Sequence, residues 1–160
     1  MRYLYMSLFA ALAVAADQIT KWLTLKHIEL YEIVEVLPGF CNLTYVRNYG
    51  AAWSSFNGMI WLFALVFAGF AAFIVWEFPK KRLPFHTFER WCIVSVFAGG
   101  LGNMIDRLRL GYVVDMIKVD FMEFPVFNVA DCFITCGCIA LMVSLVFFNK
   151  EFWKDEKKCS

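Results

Sequence analysis

Eight polar side chains form the constellation in this sequence that could do chemistry: Asp17, Asn48, Asn103, Asp106, Arg107, Asp115, Asn128 and Asp131. No Ser/His or Cys/His arrangement falls in one layer with them, which argues against a nucleophilic triad. Carboxylates without a nearby histidine are a weak metal set, so neither metal nor cofactor is expected. Two carboxyl groups in one site are a known hydrolytic pair. Like charges about 3 Å apart cannot both ionise, so they share a proton. The ionised group activates water and the protonated one polarises the carbonyl. Asn128 reads as a helix N-cap with Asp131 at the third helical position, where the helix dipole favours a charged carboxylate. A partner carboxylate and a low dielectric push the other pKa up. Asp115 and Asp131 are the leading members of such a pair, with Asp106 a competitor for the first place. At this point the residues leave that choice open.

The elements that must position these groups are set by composition. Of 160 residues, 61% are hydrophobic and 18% charged, with a mean hydropathy of +0.62. Soluble domains run at about 45–50% apolar and about 25% charged. A chain this short cannot hide so much apolar surface from water, which largely excludes a soluble enzyme; disorder is excluded as well. Aromatic residues make up 19%, eighteen of them Phe, which suits lipid contact. The net charge of +1 leaves no footprint for nucleic acid. Six cysteines without a CxxC pair do not read as a disulfide framework or a zinc site.

A spanning helix needs about 20 mostly apolar residues. Four segments qualify, at about 3–23, 58–78, 88–108 and 128–148, and the chain reads as one integral-membrane domain over 1–160. A second reading of the first segment is a cleaved signal peptide ending near Ala13-Val14-Ala15. Its apolar stretch is long for that, and cleavage would leave Asp17 with nothing to hold it. Nine Lys and Arg residues precede the first segment, follow the fourth, or lie in the 79–87 connection and just beyond it at Arg90, against four in the other two loops, so both termini are expected in the cytoplasm.

With that orientation Asp17 lies about 21 Å up the first helix, at 1.5 Å per residue, near the outer boundary. Asn103, Asp106 and Arg107 end the third segment, Asn128 and Asp131 open the fourth, and Asn48 and Asp115 lie in outer loops. All eight residues thus converge on one level from distant stretches of chain. Polar groups at that depth are costly and functional by default. Plainer readings exist for most of them. Asp17 and Lys21 are spaced for an i,i+4 pair, and Asp106 and Arg107 for an interfacial ion pair. Asp115 follows Tyr112-Val113-Val114 and has no such local explanation. Asp120 and Glu123 read as solvated, and His27 and His86 receive no role. Gly99, Gly100 and Gly102 allow either close helix packing or close substrate approach. The outer loops carry Ile33-Val34-Glu35-Val36, Asn42-Leu43-Thr44-Tyr45-Val46 and a third run over 111–117, each strand-like, with a turn at Pro38-Gly39. Other classes consistent with the pattern are an ion-coupled transporter and a non-catalytic scaffold. Against transport, the acids form one outer layer and trace no path across the membrane.

The strings around these residues resemble the lipoprotein signal peptidase family, the bacterial type II signal peptidases. They are Asp17-Gln18-Ile19-Thr20-Lys21, the run 47–54 beginning Arg47-Asn48-Tyr49-Gly50, the run 99–108 containing Asn103, Asp106 and Arg107, Gly111-Tyr112-Val113-Val114-Asp115, and Phe127-Asn128-Val129-Ala130-Asp131. They occur in the family's order over nearly the whole chain; Trp53, where Phe is frequent, is a small departure. The resemblance implies an α-helical membrane fold of four transmembrane helices, a small extracytoplasmic β-cradle and a short interfacial helix. It implies an aspartyl endopeptidase that removes the signal peptide from diacylglyceryl-modified prolipoproteins, cutting just before the lipidated cysteine. Asp115 and Asp131 match the family's catalytic aspartates. Asp17, Asn48, Gly50, Asn103, Asp106, Arg107, Asn128 and Ala130 match positions that support or line its site. Also implied are a bacterial cytoplasmic (inner) membrane location with the site at the outer face, membrane lipids and a lipid-modified prolipoprotein as partners, a monomer, and inhibition by globomycin.

Overall fold

The computed structural model describes residues 1–50 and 59–153; Ala51–Ser54 of the second string and the expected start of the second span at Gly58 lie outside them. The chain runs α1 (Arg2–His27), β1 (Ile33–Leu37), β2 (Cys41–Asn48), α2 (Ile60–Lys80), α3 (Thr87–Leu110), β3 (Val113–Val119) and α4 (Val129–Val143), the last continued by one π-helical turn, Ser144–Phe148. Among the described residues no short interfacial helix occurs.

The helices sit within a few residues of the apolar segments, and local chemistry explains their ends. Pro79 cannot extend the hydrogen-bond ladder, and α2 stops at Lys81 in a left-handed conformation. His86 opens α3 with its backbone N–H donating to Glu89 Oε2 at 2.7 Å. Gly111, at φ 81°, closes it and donates to Arg107 O. So β3 begins at Val113, two residues later than the strand-like run. Cys41 opens β2.

Three helices are long and apolar enough to cross a membrane: α1, α2, and α4 with its continuation. The fourth, α3, has 24 residues but carries Glu89, Arg90, Asp106, Arg107 and Arg109. It is the central helix, packed on α4, α1 and α2. Three of its charges are turned inward: Glu89, Arg90 and Asp106 are buried, Arg109 at its end is exposed, and Leu65, Val66 and Val75 of α2 are exposed. That inside-out distribution is what lipid, rather than water, as surrounding solvent favours.

The crossing of α3 with α4 depends on missing side chains. A Cβ on Gly99 would stand 2.3 Å from Ala130 O, and one on Gly102 would stand 2.5 Å from Asp17 Oδ2. Both glycines therefore serve packing, one against α4 and one against the site. Gly100 faces Phe67 of α2 instead. Far from the eight residues lies a second buried polar cluster that the sequence reading did not anticipate. Glu77 accepts the backbone N–H groups of Arg82 and Leu83, and Arg90 Nη2 at 3.3 Å. Glu89 accepts from Ser144 Oγ and Asn149 Nδ2 at 2.9 and 2.7 Å. It ties α2, α3 and the end of α4 together at the terminal side of the bundle.

The strands form one antiparallel sheet in the order β1-β2-β3. Two residues of β2, Thr44 and Tyr45, face the single Met116 of β3, so the register shifts between Leu43↔Ile117 and Val46↔Asp115. This bulge reverses which β2 side chains share a face with Asp115. Without it Tyr45 and Arg47 would stand on that face; with it Val46 and Asn48 do. Arg47 lies instead on the other side, its guanidinium 5.1 Å from the Tyr112 ring centroid and its Nε donating to Tyr45 Oη at 2.9 Å.

Gly99→Ala should lower the thermal midpoint in detergent, by about 1–3 kcal/mol of overpacking at the crossing. Gly69→Ala, where nothing lies within 4 Å of the added Cβ, should hold or raise it, by about 0.5–1 kcal/mol of helix propensity. Differential scanning fluorimetry of the two variants checks the pair.

Candidate active site

Asn128 caps α4 and joins the two leading acids. Its Oδ1 accepts the Asp131 N–H at 2.9 Å, and its own N–H donates to Asp131 Oδ2 at 3.2 Å. This is the capping box expected from the sequence. Because the amide oxygen is committed to the helix, Nδ2 turns the other way and donates to Asp115 Oδ1 at 2.6 Å. Asp115 Oδ2 accepts Asn48 Nδ2 at 2.9 Å across β2 and β3. Asn48 Oδ1 in turn accepts the Gly50 N–H at 2.9 Å. Asp131 Oδ1 accepts Asn103 Nδ2 at 2.8 Å. Three carboxamides thus aim N–H groups at two carboxyl groups.

A second layer backs the first. Asp17 Oδ1 accepts the Ala130 N–H at 2.9 Å, fixing α1 to the first turn of α4. Ala130 is fully buried there, and its methyl is as much side chain as the crossing beside Gly99 and Gly102 admits. Lys21 Nζ lies 2.9 Å from Asp17 Oδ2 and 3.0 Å from Asp106 Oδ2, and donates to Asn103 Oδ1 at 2.9 Å. Gln18 Nε2 donates to Asp106 Oδ1 at 2.9 Å, and the Val114 N–H donates to Asp106 Oδ2 at 3.1 Å. Arg107 Nη2 donates to Gly50 O at 2.7 Å, with its guanidinium carbon 4.1 Å from the Phe63 ring centroid.

All ten candidate residues therefore fall in one connected cluster, and two of the plainer readings change. The Asp17–Lys21 pair forms, but it is buried and shared with Asp106. Asp106 does not pair with Arg107; its oxygens go to Lys21, Gln18 and Val114. Asp120, read as solvated, accepts from Asn42 Nδ2 and stands 3.8 Å from Lys118 Nζ. Gln18 was missed as an individual residue, and Lys21 was seen only as half of a pair. The signal was present: Asp17, Gln18, Thr20 and Lys21 cluster after the apolar run 8–16 of the same helix.

The site is electrostatically uneven. Burial pushes the Asp115 carboxyl up to about 7; the charge of Asp131 adds to the rise, while Asn48, Asn128 and Lys21 oppose it. Asp115 therefore keeps its proton to higher pH than an ordinary aspartate, and both Asp115 and Asp131 accept N–H donors in the site.

The family model described as signal peptidase (SPase) II matches residues 9–147. The chain belongs to the signal peptidase II family. This places it among the proteases of lipoprotein processing, as the resemblance implied. It is 42% identical to the lipoprotein signal peptidase of Streptococcus agalactiae, over 98% of this chain and 96% of the relative. It is also 42% identical to that of Enterococcus faecalis, over 89% of this chain and 88% of the relative. A solved structure described as a bacterial membrane enzyme superposes with a TM-score of 0.83 at 34% identity, over 92% of this chain and 90% of that one. A second of the same description gives 0.81, also at 34%. A membrane-embedded helical enzyme with a small sheet is therefore the signal peptidase II fold in this chain.

The uneven titration has a direct check. Asp131→Asn removes a negative charge that raises the Asp115 pKa, so Asp115 should titrate at lower pH in that variant than in the wild type. Carbon-13 NMR of labelled aspartates in detergent reads the shift; an unchanged or higher Asp115 midpoint would show that the two carboxyl groups do not interact.

Proposed function

We propose that this signal peptidase II is an aspartyl endopeptidase that removes the signal peptide from diacylglyceryl-modified prolipoproteins, cutting just before the lipidated cysteine. The observation that carries the reading is the joining of Asp115 and Asp131 through one residue, Asn128, in a buried site. Asp115 holds the proton and polarises the scissile carbonyl. Asp131, charged and held by Asn103 and Asn128, takes a proton from the attacking water. Asp106 is a poor alternative, because Lys21, Gln18 and the Val114 N–H already occupy its oxygens. The relatives' name supports a prolipoprotein as substrate. A lipid-modified cysteine suits the site's place at one end of apolar helices, since the acyl chains can stay in lipid while the peptide bond reaches the acids.

In this reading α3 is the fourth span, with Glu89, Arg90 and Asp106 turned inside the bundle. Both termini face the cytoplasm, by the excess of Lys and Arg on that side. The sheet and the acids face outward from the cytoplasmic membrane. Asp17, Gly50, Asp106, Arg107 and Ala130 support the site, and the enzyme works as a monomer without metal or cofactor.

Cleavage of a synthetic diacylglyceryl lipopeptide by the purified full chain tests the proposal. Asp115→Asn and Asp131→Asn should each lower kcat by at least ~10²-fold with thermal midpoints retained. Asp106→Asn should cost less. Activity persisting in folded Asp115→Asn or Asp131→Asn would overturn the assignment. Activity should also decline as pH rises through about 7, where burial places the loss of the Asp115 proton, and a rate still climbing above pH 8 would contradict Asp115 as the acid.

A further inference from the structure

Each carboxamide facing the acids has a donor end and an acceptor end, and only one orientation serves a carboxylate. Something behind the amide must hold its oxygen away. For Asn48 this is the Gly50 N–H, and for Asn128 the Asp131 N–H, each at 2.9 Å. Among the described residues no backbone N–H does the same for Asn103. Its Oδ1 faces Lys21 Nζ at 2.9 Å, with Asn128 Nδ2 a longer second donor at 3.2 Å. An ammonium carries three protons and no acceptor, so it cannot tolerate the amide nitrogen in that place. A flipped Asn103 would set its NH2 against the ammonium and its carbonyl oxygen against Asp131. The ammonium itself is held by Asp17 and Asp106 from two other sides.

We propose that Lys21 is a positioning residue for the hydrolysis: by holding Asn103 Oδ1, it keeps Asn103 Nδ2 on Asp131 Oδ1. This rests on the reading of Asp115 and Asp131 as the catalytic pair. The salt bridges of Lys21 are thus more than an anchor between α1 and α3. They place one donor-only group at the start of a chain that runs Lys21, Asn103, Asp131. Losing the outermost link withdraws a hydrogen bond from the charged form of the base, and that form becomes harder to reach.

The test compares Lys21→Met and Lys21→Arg with the wild type, in the full chain, using the same diacylglyceryl lipopeptide. Lys21→Met should lower kcat by about tenfold to a hundredfold with KM within about twofold. Its acid limb in the pH profile of kcat should move up by about one unit. Lys21→Arg, which keeps the charge and the donor-only character, should recover most of the rate and the wild-type limb. If Lys21→Met does not fold, Lys21→Met/Asp106→Asn is the substitute. Removing one positive and one negative charge keeps the net charge of the trio at that of the wild type, and kcat should fall at least about tenfold below Asp106→Asn alone. A folded variant lacking Lys21 with the kcat and acid limb of its parent would overturn the proposal, as would a change confined to KM. Asp131→Asn is run alongside. If it cleaves normally, the catalytic pair itself is wrong; if it is inactive while Lys21→Met is normal, only the positioning role falls.

Discussion

A carboxylate taken out of water must be compensated where it lies, and one end of this bundle is organised by that requirement. Asp17, Asp106 and Asp115 are all buried. One ammonium, Lys21, serves the first two, and backbone N–H groups of Ala130 and Val114 complete them. Two of those contacts, Lys21 to Asp106 and Ala130 to Asp17, join elements far apart in the chain. Asp17 to Ala130 links α1 to α4 across 113 residues. Compensation of charge and assembly of the fold are therefore the same set of contacts. Breaking one partner leaves a buried charge unpaired, which costs far more than the pair gains.

Close packing is the second condition. The hydrogen bond from Ala130 to Asp17 can form because α3 crosses there with glycine at 99 and 102. A methyl at either position would occupy the space of Ala130 O or of the Asp17 carboxylate. Steric and electrostatic design meet at the first turn of α4, where Asn128, Ala130 and Asp131 follow one another. The cap that starts the helix is also the bridge between the two acids, so the geometry of the site cannot drift without unwinding the helix start.

The two buried polar layers are kept apart by an apolar bundle. Asp17, Asp106, Asp115 and their partners occupy one end. Glu77, Glu89, Arg90 and Asn149 occupy the other. Met6, Phe78, Ile93 and Val94 pack as the adjoining apolar core. In the first layer two carboxyl groups, Asp115 and Asp131, are bonded to one capping residue, Asn128. In the second, Glu77 is taken up largely by backbone N–H groups and an arginine. That difference separates a layer with two linked carboxyl groups from one that fastens helices together.

Much of this was legible in the chain before any coordinates. Four apolar segments, three strand-like runs and eight polar residues at one depth follow from the lengths and periods that backbone hydrogen bonding imposes, which are local properties. The capping box of Asn128 and Asp131 is local too, spanning four residues. The five strings carried the family resemblance, and the ten candidate residues they contain gather into one cluster. Pairings across the fold were not legible. Asp106 was matched to its neighbour Arg107, but it sits with Lys21 and Gln18, because partner choice depends on which faces of α1 and α3 meet. Nothing in the sequence of β2 announced the bulge at Thr44 and Tyr45. Side chains alternate with a period of two, so that one extra residue decides whether Arg47 or Asn48 stands beside Asp115. The sequence by itself determined which groups exist and where along each segment they lie. The tertiary structure decided which of them touch, because a contact between distant residues depends on register and helix crossing, and neither is written in any one segment.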